Sequence, residues 1–212
     1  MTTTASERPV RARAAHLGPE RRRPQVLDAA RAVALRDGVG AVTIGSVADE
    51  LGVTRPVVYS CFGHRVEMVD ALLERDGRAL LDSLISALHQ SGGTDDPERA
   101  FINGFRAFLA VVAQQAEPWR LIVGSDPDPA VVELFREARA IIRREVTSWI
   151  GPAMHRWWQT EDLDGKLPVL VDLFMASCES AADTLLKGRV RWTVDELGEF
   201  VGRAVHRMFR DA

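Results

Sequence analysis

The sequence contains little cysteine, and this scarcity restricts what the chain can be. Of its 212 residues only two are cysteines, Cys61 and Cys178, and neither has a CxxC partner. This spacing excludes a disulfide-stapled scaffold and a cysteine-based zinc site, and it favours a reducing, cytoplasmic setting. The N-terminal residues MTTTASERPVRARAAHLG contain no apolar core, so we expect no secretory signal there.

Long apolar runs are absent as well. A helix that crosses a membrane needs about 18 consecutive apolar residues, whereas the apolar stretch 167–177 is interrupted by Asp172. We therefore expect no membrane association. Apolar residues make up 46% of the chain and charged residues 27%, a balance typical of a soluble globular protein with one large domain or two small ones.

Catalytic and metal-binding motifs are the third absence. The five histidines show neither an HExxH pattern nor a paired metal-ligand spacing, and no GxSxG or phosphate-binding glycine loop occurs. Cys178 has no histidine near it in sequence, and a buried cysteine on an apolar helix is usually part of the core. The sequence thus predicts a protein that is not an enzyme and that uses no metal or cofactor.

Charge is distributed unevenly along the chain. Residues 1–65 contain ten Arg and six Asp or Glu, a net charge of +4, which leaves −7 for the rest of a chain whose total is −3. A basic head on an acidic body is typical of nucleic-acid-binding proteins. Residues 1–18 include Arg8, Arg11 and Arg13, and we interpret them as a disordered arm that either contacts DNA or is a tail without a role.

The stretch 43–62 predicts two short helices joined by a tight turn. Thr43 and Thr54 occupy positions where a hydroxyl can cap a helix, and Gly52 lies where a left-handed residue ends one. Pro56 falls in the first turn of the second helix, where its missing N–H does no harm. The inward-facing residues are Val47, Ala48, Leu51, Val53, Val58 and Phe62. This helix-turn-helix either lays its second helix in a DNA major groove or is only a pair of core helices.

Several side chains near this unit suit DNA. Arg55 could form two hydrogen bonds to a guanine, Val57 could contact a thymine methyl, and the phenol of Tyr59 could donate to a phosphate. Residues 21–23 are all Arg and start the preceding helix, where the helix dipole disfavours cations. Local stability therefore does not explain them, whereas a nearby phosphate backbone does.

The run 25–74 resembles the DNA-binding domain of the TetR family of bacterial repressors. The matching positions are Leu27-Asp28-Ala29-Ala30, Gly38, Thr43, Val47-Ala48, Gly52-Val53, Tyr59, Phe62 and the charged turn His64-Arg65. One departure lies in that turn, which reads Gly-His-Arg where the family commonly has Ser or Asn followed by Lys-Glu. The cationic position is kept as Arg65, but the usual capping hydroxyl is missing.

The resemblance implies roles for individual residues in binding a double-stranded operator. Tyr59 and Arg65 match family positions that contact the DNA backbone, while Arg55, Pro56 and Val57 match the positions nearest the bases. The complete set predicted to contact DNA is Arg21, Arg22, Arg23, Thr43, Ser46, Thr54, Arg55, Pro56, Val57, Tyr59, Ser60, His64 and Arg65.

The remainder of the chain is predicted to be helical. Its expected helices are 65–89, 100–113, 118–123, 131–150, 167–186 and 194–208, with loops at 91–97, 124–129 and 161–165. The last two helices are strongly apolar, which indicates either core helices or an oligomer face, and the resemblance implies a homodimer formed through them. The implied fold is all-α, with a three-helix DNA-binding domain at 19–65 and an effector-binding and dimerisation bundle at 66–212.

Aromatic residues are concentrated in this second part, where they form either a core or a pocket. The resemblance implies a pocket for a small hydrophobic effector such as a drug, a lipid-derived acid or an aromatic metabolite. The predicted ligand-binding residues are Phe105, Phe108, Trp119, Trp149, Trp157, Phe174, Met175 and Cys178. The predicted function is a repressor that leaves a palindromic operator when the effector binds. The alternative is a helical ligand carrier or protein-interaction module without sequence-specific DNA binding.

Overall fold

The computed structural model describes residues 18–91, 94–122, 132–189 and 191–212, apart from the side chains of Ser91, Ile122, Leu134, Phe135 and Ala138. Residues 1–17 of the predicted arm and the predicted loop at 124–129 lie outside these ranges. The helices are α1 (Pro19–Asp37), α2 (Ile44–Leu51), α3 (Arg55–Tyr59), α4 (Arg65–Ser91), α5 (Pro97–Gln114), α6 (Ala116–Ile122), α7 (Val132–Trp158), α8 (Leu163–Leu186) and α9 (Val194–Arg210). A 3-10 turn, Val39–Ala41, lies between α1 and α2. The described residues contain no strand, so the predicted all-α fold is confirmed.

The first three helices and the start of α4 enclose one apolar core, which we call the head core. Val26, Val47, Val58 and Phe62 are fully buried in it. Leu121 on α6 is buried in the same core, although it lies some 50 residues beyond the last head residue in sequence. Helix α6 therefore belongs physically to the head as well as to the body.

The ends of α2 form as the sequence predicts. The hydroxyl of Thr43 accepts a hydrogen bond from the N–H of Ser46 at 3.0 Å, and the Ser46 hydroxyl accepts one from the N–H of Thr43 at 2.9 Å. Gly52 ends the helix in the left-handed region, with φ of 69°. Thr54 occupies the N-cap position of α3, but its hydroxyl makes no capping hydrogen bond. Thr54 therefore lies at the predicted cap position but does not cap the helix with its side chain.

In the body, α5 and α9 form the most intimate helix pair. Gly198 and Gly202 on α9 face α5, and a Cβ on Gly198 would lie 2.7 Å from the Cγ of Arg106. A Cβ on Gly202 would lie 2.6 Å from the Cα of Ile102. These distances leave no room for any side chain, so the two helices pack backbone against backbone. Helix α8 packs against α5, α7 and α9.

Two helix boundaries in the body differ from the prediction by four residues or more. Helix α7 continues through Pro152 to Trp158, because this exposed proline interrupts one hydrogen bond of a 27-residue helix without ending it. Helix α8 begins at Leu163, inside the acidic segment 161–165 that was expected to be a loop. Asp162, with φ of 50°, makes the turn that allows this early start.

Apolar side chains on α8 and α9 remain exposed in the single chain, and we call them the α8–α9 stripe. Val169 and Phe200 each keep 59% of their surface exposed, and Leu173 keeps 44%. Trp192, just before α9, is 42% exposed and contacts Phe200 with ring centroids 5.0 Å apart. These helices are thus not buried on every side by their own chain. Among the described helices, none combines the length and apolarity needed to cross a membrane.

Candidate nucleic-acid interface and ligand cavity

The outer face of α3 carries polar and aromatic side chains into solvent. The exposed residues on and beside this helix are Thr54, Arg55, Pro56, Tyr59 and Ser60, and Val57 is half-buried. Tyr59 keeps 54% of its surface exposed. On the opposite side, Val58 is fully buried in the head core. Because α3 has only five residues, this single anchor decides which of its side chains face outward.

Arg55 lies against the first turn of α2 at Gly45. A Cβ on Gly45 would lie 3.2 Å from Nη2 and 3.3 Å from Nε of Arg55. The glycine therefore leaves space for the guanidinium at the junction of α2 and α3. Arg55 makes no ion pair or side-chain hydrogen bond within the described residues. Its five N–H donors remain available to an external acceptor such as the O6 and N7 edge of guanine.

Three of the hydroxyls predicted to contact DNA are bonded within the head, and that of Thr43 takes part in the cap of α2 described above. The Ser46 hydroxyl donates to the carbonyl of Ala41 at 2.7 Å, in addition to its part in the cap of α2. The Ser60 hydroxyl donates to the carbonyl of Val57 at 2.7 Å. A phosphate contact from either serine would have to share or replace these bonds.

The three arginines at the start of α1 lie in different surroundings. Arg22 is buried, with 8% of its surface exposed. Arg23 donates from Nη1 to the carbonyl of Cys61 at 3.1 Å, lies 4.2 Å from the ring centroid of Phe62, and pairs with Glu67 at 3.6 Å. Arg22 is thus enclosed by the head and Arg23 is held by contacts within it, so a phosphate is not needed to explain either residue, and their contact with DNA stays a prediction. Arg21 is exposed and makes no such contact within the described residues.

Arg65 is used by the fold as well. Its Nε donates to the carbonyl of Val42 at 2.6 Å, and its Nη2 donates to the carbonyl of Val39 at 3.0 Å. The guanidinium thus ties the start of α4 to the connection between α1 and α2, and it is half-buried there. The predicted role of Arg65 as a DNA-backbone contact stays a prediction, now competing with a structural role.

The cap of α4 was missed by sequence reasoning. Nδ1 of His64 accepts a hydrogen bond from the N–H of Glu67 at 3.2 Å, and the carboxylate of Glu67 accepts one from the N–H of Gly63 at 2.7 Å. His64 thereby replaces the capping hydroxyl whose absence the sequence showed. The detectable signal was a glutamate three residues after the cap position, the spacing of a capping box with histidine as its first member.

A cavity of about 1050 Å³ lies between α4, α5, α7 and α8. All eight side chains predicted to bind a ligand line it, namely Phe105, Phe108, Trp119, Trp149, Trp157, Phe174, Met175 and Cys178. Burial raises the pKa of the Cys178 thiol, helped by the nearby Glu179 carboxylate. The thiol therefore stays neutral and contributes to the wall as an apolar group.

The α4 wall of the cavity was not predicted. It consists of Leu73, Leu80, Leu81, Leu84 and Leu88, which the sequence showed only as one apolar stripe of a long helix. Acidic side chains of α4 and α7 line the same cavity, among them Asp70, Asp82 and Glu145. No sequence signal relates the charges on one helix to those on the other, because only the packing of the bundle brings them together.

Helix α6 connects the cavity with the head. Trp119 lies in the cavity wall, whereas Leu121, two residues later, is buried in the head core. Glu117 pairs with Arg31 on α1 at 3.2 Å. Arg31 also lies 3.4 Å from Asp76 on α4, a carboxylate with only 7% of its surface exposed. A displacement of Trp119 would therefore act directly on contacts of α1 and α4.

Known proteins resemble both parts of this architecture. Residues 26–72 match the profile described as bacterial regulatory proteins, tetR family. The chain is 29% identical over 146 residues to the HTH-type transcriptional regulator AlkX of Mycobacterium tuberculosis, covering 68% of each protein. It is 31% identical over 108 residues to the HTH-type transcriptional activator FasR of Mycolicibacterium smegmatis, covering 50% of this chain and 48% of FasR.

The fold of nearly the whole chain also has a solved counterpart. The crystal structure of a TetR-like transcriptional regulator from Rhodococcus superposes with a TM-score of 0.65, covering 88% of this chain and 94% of the other. The two sequences are 18% identical over this superposition. At this identity the likeness concerns the fold alone, including the helical body beyond the matched head.

Proposed function

Because this chain is a member of the tetR family of bacterial regulatory proteins, as its residues 26–72 indicate, we propose that it is a repressor that binds a palindromic operator as a homodimer. In this proposal, residues 19–65 bind DNA and residues 66–212 bind a small hydrophobic effector and form the dimer. The observation that carries the proposal is the exposed outer face of α3, from which Arg55 and Tyr59 project while Val58 anchors the helix.

Base reading is assigned to the N-terminal end of α3. Arg55 has unengaged donors and lies in the space above Gly45, where it can pair with a guanine. The phenol of Tyr59, which makes no hydrogen bond within the described residues, donates to a phosphate. Arg21, which is exposed and has no side-chain contact within the described residues, can do the same. The net positive charge of residues 1–65 supports this orientation of the head toward DNA.

The dimer is assigned to the α8–α9 stripe. Val169, Leu173 and Phe200 leave apolar surface uncovered in the single chain, and pairing two copies about a two-fold axis would cover it with the same surface of the second copy. Exposed Ala176 on α8 and Ala204 on α9 allow close approach between helices. A two-fold dimer presents its two recognition helices to half-sites about 34 Å apart, one turn of DNA.

Effector control follows from the cavity and α6. A ligand that fits better when Trp119 is displaced would favour a conformer in which α6 shifts its contacts to α1 and α4. That conformer changes the spacing of the two heads and so lowers operator affinity. FasR is named an activator, so the sign of regulation needs its own test: transcription from a promoter overlapping the operator falls when the protein is added, if it is a repressor.

The DNA assignment is tested by selecting genomic fragments with the purified full chain and measuring binding to the shared palindrome. We expect Arg55→Ala to weaken binding by about 1–3 kcal/mol and to relax the choice of base at one position of each half-site. Arg144→Ala is the matched control, since Arg144 is an exposed arginine of α7 without a side-chain contact within the described residues. No enrichment of a shared palindrome, or equal effects of both variants, would favour the helical carrier instead.

A further inference from the structure

The charges around the cavity are predominantly negative. Six carboxylates and two guanidinium groups line it. Arg78 pairs with Glu74 at 2.9 Å, and Arg139 pairs with Glu179, so both cations are already neutralised by carboxylates of the same cavity. The four remaining carboxylates, those of Asp70, Asp82, Glu137 and Glu145, make no ion pair or hydrogen bond within the described residues.

Glu145 is the least exposed of these four unpaired carboxylate residues. It is half-buried, whereas Asp70, Asp82 and Glu137 are exposed. Its position on α7 lies one helical turn before Trp149, which also lines the cavity. A cationic group supplied by a ligand would give this carboxylate a counter-charge, and such a pair is stronger where water is partly excluded.

The walls beside Glu145 also suit a cation. Trp149 lines the cavity from α7 one turn after Glu145, and His89 of α4 lies across from Trp149 with ring centroids 6.5 Å apart. The face of an indole ring attracts an ammonium group, most strongly when water is excluded. The aromatic and leucine side chains of the cavity wall accept an apolar body.

We propose that the cavity binds a cationic amphiphile, an amine or quaternary ammonium compound whose charged head lies near Glu145 and whose apolar body fills the aromatic interior. The inference rests on the proposed function for its regulatory meaning, but it concerns only the class of ligand. Among the described lining residues, an anionic amphiphile would meet four unpaired carboxylates and no Lys or Arg without a carboxylate partner. Beyond residue 17, the residues outside the description contain no Lys, Arg or His.

The test compares two probes of equal chain length, dodecyltrimethylammonium and dodecanoate, each held below its micelle-forming concentration. Binding to the full chain is followed by tryptophan fluorescence and calorimetry. We expect the ammonium probe to bind at least about tenfold more tightly, a difference of about 1.4 kcal/mol. Glu145→Gln should weaken the ammonium probe by about tenfold without weakening dodecanoate, and Glu145→Ala should do the same.

Glu161→Gln serves as the matched control, because it removes one exposed carboxylate outside the cavity lining. Tighter binding of dodecanoate, or an equal loss of affinity in the Glu145 and Glu161 variants, would overturn the inference. If dodecanoate alone binds and releases the operator, the inference fails while the proposed function stands. If the ammonium probe binds through Glu145 but no operator is found, the inference stands and the proposed function fails. Binding of neither probe defeats the inference and the effector part of the proposed function.

Discussion

At the scale of the residue, Arg65 shows how a cation at a position predicted to contact DNA can serve the fold. Its guanidinium donates to the carbonyls of Val42 and Val39 from a half-buried position. Hydrogen bonds from a charged group contribute about 1.5–3 kcal/mol each to stability, and buried acceptors left without a donor cost free energy. The contacts hold the connection between α1 and α2 against the start of α4. They therefore stabilise the arrangement of the head helices around α3.

We expect Arg65→Ala to lower the free energy of unfolding by about 2 kcal/mol, measured by urea denaturation. Arg21→Ala is the control, because Arg21 is exposed and has no side-chain contact within the described residues, so its unfolding midpoint should not move. If Arg65→Ala left the midpoint unchanged and weakened binding to all DNA sequences alike, a phosphate contact would account for this residue instead.

The neighbouring His64 shows where reasoning from the sequence stops at this scale. The missing hydroxyl before α4 could be detected from the letters alone, and so could Glu67 three residues later. That the imidazole accepts from the N–H of Glu67 depends on the rotamer of His64, which the sequence does not specify. The same holds for Arg22 and Arg23, whose contacts with the head depend on how α1 packs against the turn after α3.

At the scale of the element, the two faces of α6 contact different parts of the molecule. Trp119 faces the ligand cavity, while Leu121 and the Glu117–Arg31 pair face the head. The sequence predicted a short helix here, with bounds within two residues of those observed. It could not predict that the helix enters the head core, because contacts between segments so far apart in the chain arise only from the packed fold.

We expect Glu117→Gln to uncouple ligand and DNA in part. Glu117 is an exposed member of its ion pair, with 64% of the side chain exposed, so the variant should fold and bind the operator about as well as the parent. The loss of operator affinity caused by a saturating releasing ligand should shrink by roughly two- to fivefold. Fluorescence anisotropy of labelled operator measures both quantities. Unchanged release, with Glu161→Gln as reference, would exclude a role for this pair in transmission.

At the scale of the whole molecule, the α8–α9 stripe predicts the effect of charge on assembly. Phe200→Glu places a carboxylate in the apolar surface that two copies are proposed to share, and burying an unpaired charge is strongly unfavourable. We expect this variant to sediment as a monomer, and to bind the palindrome at least about 100-fold more weakly because the two half-sites are no longer engaged together.

Val132→Glu makes a suitable comparison, since Val132 is an exposed apolar residue outside the α8–α9 stripe, on α7, with 39% exposure. It should remain dimeric and keep its affinity. A dimer in the Phe200 variant, or a monomer in the parent protein at micromolar concentration, would show that the stripe has another purpose.

The broad architecture could be predicted from the chain because periodicity and capping are local. The helix-turn-helix, the all-α fold and the concentration of aromatics in the body all follow from patterns a few residues long. The acidic surroundings of the cavity could not be predicted, because Asp70 and Glu145 lie on helices whose facing sides are decided only by tertiary packing.

The glycine pair on α9 has a consequence for how two subunits would respond to ligand. Gly198 and Gly202 lock α9 against α5, and α5 carries Phe105 and Phe108 of the cavity wall. In the proposed dimer, the α9 helices of both copies meet at the two-fold axis. The cavity walls formed by the two α5 helices are then connected through this rigid pair of α9 helices. In such a dimer, occupancy of the first cavity would alter the shape of the second. The dimer would therefore bind its two effector molecules cooperatively.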